Sequence, residues 1–265
     1  MSSVLLLAAL IGVPPTRAAD SLNNNESPTC KQQIQVSAGV LLEQARQSAG
    51  RIHRAMAGFV CSERITRFKG NTGNKQSHKI DVITSLVSYS SEKELYADIR
   101  QNDKRLSRIG AVRGAWSEGE YGTFLREAGA ILSSRPVRFL SISNLDNQLA
   151  AAYTFDLSAE ESPWDIQVSG KHYTLPFHGQ LWVSPGTGNI LRIDRMSSRV
   201  PSETGISGVN WSVDFAQIEV EGKSCWLPAK AVYSVTYLNS SRHEWNTIAF
   251  SDYHRYGSEV LVHFQ

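Results

Sequence analysis

The chain has 265 residues, 41% of them hydrophobic and 20% charged, and a formal net charge of +2 with no block of one sign. That is enough length and apolar content for a sizeable core. It leaves no basic stripe of the kind that tracks nucleic acid, so no nucleic-acid partner is expected.

The chain opens with "MSSVLLLAALIGVPPTRAAD". Its apolar run from Val4 to Val13, the helix-breaking Pro14-Pro15 and the small residues around Ala18 and Ala19 have the outline of a secretory signal peptide, expected over residues 1–19. The run is shorter than the roughly 20 residues that cross a bilayer, and no later segment is long and apolar enough, so no membrane span is expected after cleavage. A periplasmic or secreted location follows. Residues 20–32 read as a polar leader and residues 33–265 as a single folded domain.

Gln33 to Met56 predicts an amphipathic helix, with Ile34, Ala38, Leu41, Ala45, Ala49, Ile52 and Met56 at three- and four-residue steps. Beyond Gly58 the pattern changes to strands over residues 59–68, 78–89 and 94–100. A second helix is predicted over residues 120–132, where Tyr121, Phe124, Leu125, Ala128, Ile131 and Leu132 share one stripe. From Val137 onward strands follow almost without interruption, over residues 137–143, 148–157, 165–175, 178–184, 190–200, 211–220, 224–238 and 243–256. Short turns and no helical crossovers indicate an antiparallel meander. In "LWVSPGTGNILRID", residues 181–194, Pro185, Gly186 and Gly188 supply a tight hairpin turn. Asn189-Ile190 follows where a phosphate loop needs Lys-Ser or Lys-Thr.

That hairpin resembles the "strand, Asp-Pro-x-Thr-Gly, strand" element of the periplasmic lipoprotein carriers of the Lol type and their structural relatives, including the sensor domain that binds anti-sigma factors. Ser184 stands where those proteins have aspartate. "VDFAQIEVEGKSCWLP", residues 213–228, resembles a strand pair of the same proteins. Together with "GFVCSERITRF" and "GEYGTFLREAG", the hairpin also resembles a set of uncharacterised exported proteins from soil bacteria. The resemblance implies an α+β fold: one strongly curved antiparallel sheet, a half-barrel, with the N-terminal helix and the short inserted helix on its concave face. No carrier residue is transferred to a position of this chain.

Three cysteines, Cys30, Cys61 and Cys225, are widely spaced, and an exported chain meets an oxidising compartment. Cys61 and Cys225, both in strand-like stretches, are the expected disulfide, with three free thiols as the alternative. No C-x-x-C spacing, H-E-x-x-H motif or G-x-S-x-G elbow occurs, so neither a metal nor a cofactor is expected. His172 and His178 could face each other across Pro176 and, with Asp194 or Glu219, form the basis of a metal-assisted hydrolase, the third functional reading. The first is a non-catalytic binding protein that holds a lipophilic or acyl group in an apolar groove, with Phe124, Leu125, Trp182, Phe215 and Trp226 as the residues expected to line it. The alternative is an envelope interaction or sensor module that takes a protein partner.

Overall fold

The computed structural model describes residues 28–71 and 77–256, with side chains from Ser37 onward; the expected signal peptide lies outside them. The chain order is α1 (Pro28–Met56), β1 (Phe59–Asn71), β2 (Ser77–Ser90), β3 (Lys93–Gln101), β4 (Lys104–Arg105), α2 (Thr123–Ser134), β5 (Arg138–Leu145) and β6 (Gln148–Leu157). Then come β7 (Asp165–Val168), β8 (Lys171–Thr174), β9 (Phe177–Val183), β10 (Ile190–Ser197), β11 (Ile206–Val220), β12 (Lys223–Tyr237) and β13 (Arg242–Arg255). Among the described residues, eleven strands form one antiparallel sheet in the order β4-β3-β2-β1-β13-β12-β11-β10-β9-β6-β5, and β7 and β8 form a separate hairpin.

The α+β class and the two helices are as the sequence predicts, with α1 starting earlier, at Pro28, inside the expected leader. The strong curvature is not: the sheet is open, neither closed nor strongly curled. A sheet wraps onto itself to bury an apolar face, and here other segments cover that face. Helix α1, about 43 Å long at 1.5 Å per residue, packs on β9, β10, β12 and α2. The segment 106–122 and the β7–β8 hairpin cover more of it. The stretch read as a single strand over residues 165–175 breaks at Ser169 and Gly170, both at positive φ (50° and 81°), the backbone of a two-residue hairpin turn.

Alternation decides what is buried. In β1, Phe59, Cys61, Glu63, Ile65 and Arg67 face inward, while Arg64 points to solvent. The main core runs without a break from Ala38 in α1 to Tyr253 in β13. A small second cluster, Leu145, Ala150 and Leu191, sits under Trp182 and Trp226 on the outer face.

The Pro-Gly-Thr-Gly hairpin serves as a dock for α1. Its turn closes through Ser184 N–H to Asn189 O and Gly188 N–H to Ser184 O, each at 2.9 Å. Asn189 Oδ1 accepts from the buried Ser48 hydroxyl of α1 at 3.1 Å. Gly188 has φ 69°, and a Cβ there would stand 2.5 Å from Gln44 Cβ.

Cys61 and Cys225 are free thiols, not the expected bridge. β13 lies between β1 and β12, and two strand spacings of about 4.8 Å exceed the roughly 7 Å limit between bridged Cα atoms. The β1–β13 pairing sets the first and last described strands side by side inside the sheet, which a meander of sequence neighbours does not foresee.

Two outcomes are expected. Gly188→Ala lowers stability by about 1–3 kcal/mol through left-handed strain, with further loss from the clash with Gln44, measured by urea denaturation; an unchanged midpoint would show that α1 is not docked on this turn. Thiol titration in denaturant without reductant finds both Cys61 and Cys225 reactive, and peptide mapping that joins them would refute the strand order.

Candidate functional site

Between the sheet, the N-terminal end of α2, the segment 108–119 and the β7–β8 hairpin lies a cleft of about 1020 Å³. Its rim is charged and exposed: Glu92, Lys93, Arg108, Glu118, Asp165 and His172. Its interior is aromatic and aliphatic, with Trp164, Trp211, Tyr233 and Val235 buried and Ile206 and Tyr237 half-buried. Trp164 roots the β7–β8 hairpin: its ring centroid is 5.6 Å from Phe177 and 6.1 Å from Trp211, and its carbonyl accepts from Leu175 N–H at 2.8 Å.

Strand register lays a row of residues across the inner face of the sheet. Asp81, Arg67, Asn246, Tyr233, Trp211 and Arg195 are successive cross-strand partners on β2, β1, β13, β12, β11 and β10. All six are buried. At one end Arg67 holds Asp81 with both Nε (2.7 Å) and Nη2 (2.5 Å), and this pairing keeps the Asp81 carboxyl below its usual range. Arg67 Nη1 donates to Arg113 O at 2.6 Å, Asn246 Nδ2 donates to Ala115 O at 3.2 Å, and Glu244 Oε2 accepts from Ala115 N–H at 3.3 Å. These bonds pin the irregular segment that walls the cleft.

The other end of that segment is held by Glu94. Helix α2 has no capping side chain of its own at Gly122. Instead the Glu94 carboxylate, from β3, accepts from Gly119, Gly122 and Thr123 N–H at 2.9, 2.7 and 3.2 Å and from Tyr96 Oη at 2.6 Å. Burial pushes its pKa up against the pull of those hydrogen bonds. Two further carboxyls couple to it. Glu63, bonded by Ser85 Oγ at 2.8 Å, is pushed up to about 8 by burial and then by the charge of Glu94. Glu120, bonded by Ser117 Oγ, is raised well above the carboxylate range by burial and by Glu63 and Glu94; its Oε2 has no hydrogen-bond partner among the described residues.

At the far end of the row Arg195 lies on the cleft floor with its side chain 1% exposed. Its Nη1 donates to Glu127 Oε2 of α2 at 2.8 Å. Its guanidinium carbon is 4.0 Å from the Phe124 ring centroid and 5.1 Å from that of Phe177. Burial lowers its pKa, which still leaves an arginine charged at neutral pH.

The residues expected to line a groove do not come together. Phe124, Leu125 and Phe215 are closed inside the main core. Trp182 and Trp226 lie on the outer face over the second cluster, their indole N–H groups donating to Asp194 Oδ2 at 2.8 Å and Ile190 O at 2.7 Å. Odd and even positions of β9 point to opposite faces, so Leu181 is inside and Trp182 outside. The two histidines also part. His172 pairs with Asp165 on the β7–β8 hairpin, Nδ1 to Oδ2 2.5 Å, and faces the large cleft. His178 pairs with Asp156 at 2.9 Å and lines a small outer-face depression with Asp194. Glu219 is exposed on β11, so the four do not form one site. Arg195, Trp211, Tyr233 and Trp164 were not singled out from the sequence. The available signal was a charge at an inward parity position, Arg195 two residues after the buried Ile193.

No helix of the described residues is long and apolar enough to cross a membrane. No protein-family model and no curated protein matches the sequence. Among solved structures the chain is similar to a DUF1329 family protein from Desulfovibrio piger, with 12% identity, a TM-score of 0.42, and 83% of this chain and 94% of that one covered. It is also similar to MucB in complex with MucA(peri), with 10% identity, a TM-score of 0.19, and 82% and 93% covered. With TM-scores below 0.5, neither likeness contributes to the functional reading.

The carboxyl cluster gives a pH dependence. Between about pH 4.5 and about pH 8 the folded chain keeps a proton on Glu63 that the unfolded chain has released. Stability therefore falls as pH rises through that window and levels off above it. Glu63→Gln should flatten the fall and raise the melting temperature at the upper end of the window. Melting curves that stay parallel for the variant and the parent would show that Glu63 does not titrate there.

Proposed function

We propose that the chain is an exported, non-catalytic binding protein that holds a lipophilic or acyl group in the large cleft. The observation that carries this is the cleft itself: about 1020 Å³, at the upper end of the few hundred to about 1,000 Å³ typical of small-molecule sites, with Trp164, Trp211, Tyr233 and Val235 inside and charges at the rim. Apolar burial at roughly 25 cal/mol per Å² supplies the driving force for a ligand tail, and the aromatic rings offer large, stiff contact faces. Export is supported by the signal-like start of the sequence. The ligand-lining role expected of Phe124, Leu125 and Phe215 passes to their neighbours on the cleft side, since those three side chains fill the core.

A second reading, a protein-interaction module, is favoured by one feature. The edge strand β5 and its partner β6 carry Leu140, Ile142 and Leu149 at 45%, 57% and 64% exposure, and β5 is paired on one side only in the described sheet. An apolar edge with open backbone groups accepts an added strand from a partner.

Titration with the neutral probe N-phenylnaphthylamine tests the cleft. Trp164→Ala should weaken uptake about tenfold, the order expected for one lost aromatic contact, while Trp182→Ala, on the outer face, should leave it unchanged. Absence of uptake by the parent chain, or equal loss in both variants, would refute the carrier reading.

A further inference from the structure

Resting on that reading, we propose that the cleft takes its acyl ligand as a free acid, with the carboxylate seated on Arg195 and Trp211 at the floor and the tail against Trp164, Ile166, Tyr233 and Val235. Arg195 Nε and Nη2 and Trp211 Nε1 are buried and have no hydrogen-bond partner among the described residues. The two residues are direct cross-strand partners, and both line the cleft. Buried donors without acceptors are costly, and these three are all donors, so the group that completes them must bring acceptor oxygens.

The fold contains its own precedent. Arg67, in the same cross-strand row, uses the same two atoms, Nε and Nη2, to hold the Asp81 carboxylate side-on, the bidentate geometry in which a guanidinium and a carboxylate fit best. Arg195 has that fork unengaged, with only Nη1 committed to Glu127. Phe124 and Phe177 offset its charge but supply no oxygen. The surroundings select among anions: Glu127 is in contact with the guanidinium, and Glu92, Glu94, Glu118 and Asp165 line the same cleft. A doubly charged phosphate meets more repulsion there than a singly charged carboxylate. Reaching the fork takes a rotamer-scale opening of the floor, a common adjustment on binding.

The test compares dansyl undecanoic acid with its methyl ester at neutral pH in fluorescence titrations of the full chain. The acid should bind at least about tenfold tighter than the ester, the scale of a charge-assisted hydrogen bond. Trp211→Phe, which keeps a ring and removes the donor, and Arg195→Lys, which keeps charge and loses the fork, should each narrow that ratio by weakening the acid more than the ester. Equal affinity for acid and ester, or a ratio unmoved by Trp211→Phe in a normally melting protein, overturns this inference and leaves the carrier reading standing. Binding of neither compound overturns both. Should Arg195→Lys fail to fold, Trp211→Phe alone decides.

Discussion

Coverage is the constraint from which the rest of the structure follows. An eleven-stranded open sheet presents one wide apolar face, and among the described residues two α-helices lie against it. Helix α1 lies on β9, β10 and β12, and α2 meets the sheet through Phe124 on Trp211 and Glu127 on Arg195. What they leave bare is covered by a segment that is irregular apart from the 3-10 turn Ile109–Ala111 and by a two-stranded hairpin. Irregular backbone cannot satisfy its own N–H and C=O groups, and burying it unpaired is costly. The sheet therefore carries polar side chains at positions whose parity would ordinarily make them apolar. Arg67, Asn246 and Glu244 bond the segment around Arg113 and Ala115, and Glu94 bonds its end at Gly119 to Thr123. The buried charges are consequences of what has to be held down.

The cleft has the same origin. Helices pack on a sheet with side chains interdigitated, leaving few voids; a pinned loop and a hairpin rooted by one tryptophan do not close the remaining surface to that density. The space left is bounded below by strand residues, aromatic and aliphatic around the buried Arg195, and at the rim by exposed charges. The raised carboxyls Glu63 and Glu120 mark the cost of the arrangement. They sit under the segment beside Glu94, where three acids in one enclosed region cannot all ionise cheaply.

The local elements were legible in the sequence because their signals are local. The stripe of Tyr121, Phe124, Leu125, Ala128, Ile131 and Leu132 locates α2, and the span 148–157 is β6 as expected. The β7–β8 turn was missed although Ser169-Gly170 is a turn pair, because Ile166, Val168 and Tyr173 around it keep a strand-like pattern. The disulfide was misplaced for a different reason: whether Cys61 lies near Cys225 depends on which strand stands beside β1, and the return of β13 to that place is a long-range pairing that no periodicity records. The candidate groove failed for want of parity. Trp182 and Trp226 were grouped with Phe124 by size, whereas alternation from the buried Leu181 and Leu227 places both tryptophans on the outer face.

Parity also explains why one row serves two ends. A slip of one residue in any of six strands would turn its member of the Asp81, Arg67, Asn246, Tyr233, Trp211 and Arg195 row outward and leave the others without their neighbour, so a buried polar row specifies register as an apolar one does not. At the β2 end the row is complete, each Arg67 nitrogen bonded. At the β10 end the next cross-strand position is Gly179, and the Phe155 ring occupies the place of its side chain, so close that a Cβ there would meet the ring at 2.2 Å. With a glycine and an aromatic ring where Arg67 has Asp81, Arg195 has no strand neighbour to accept from its fork. The register that turns Arg195 inward thus also leaves two of its buried donors without a partner among the described residues, in a residue that lines the cleft.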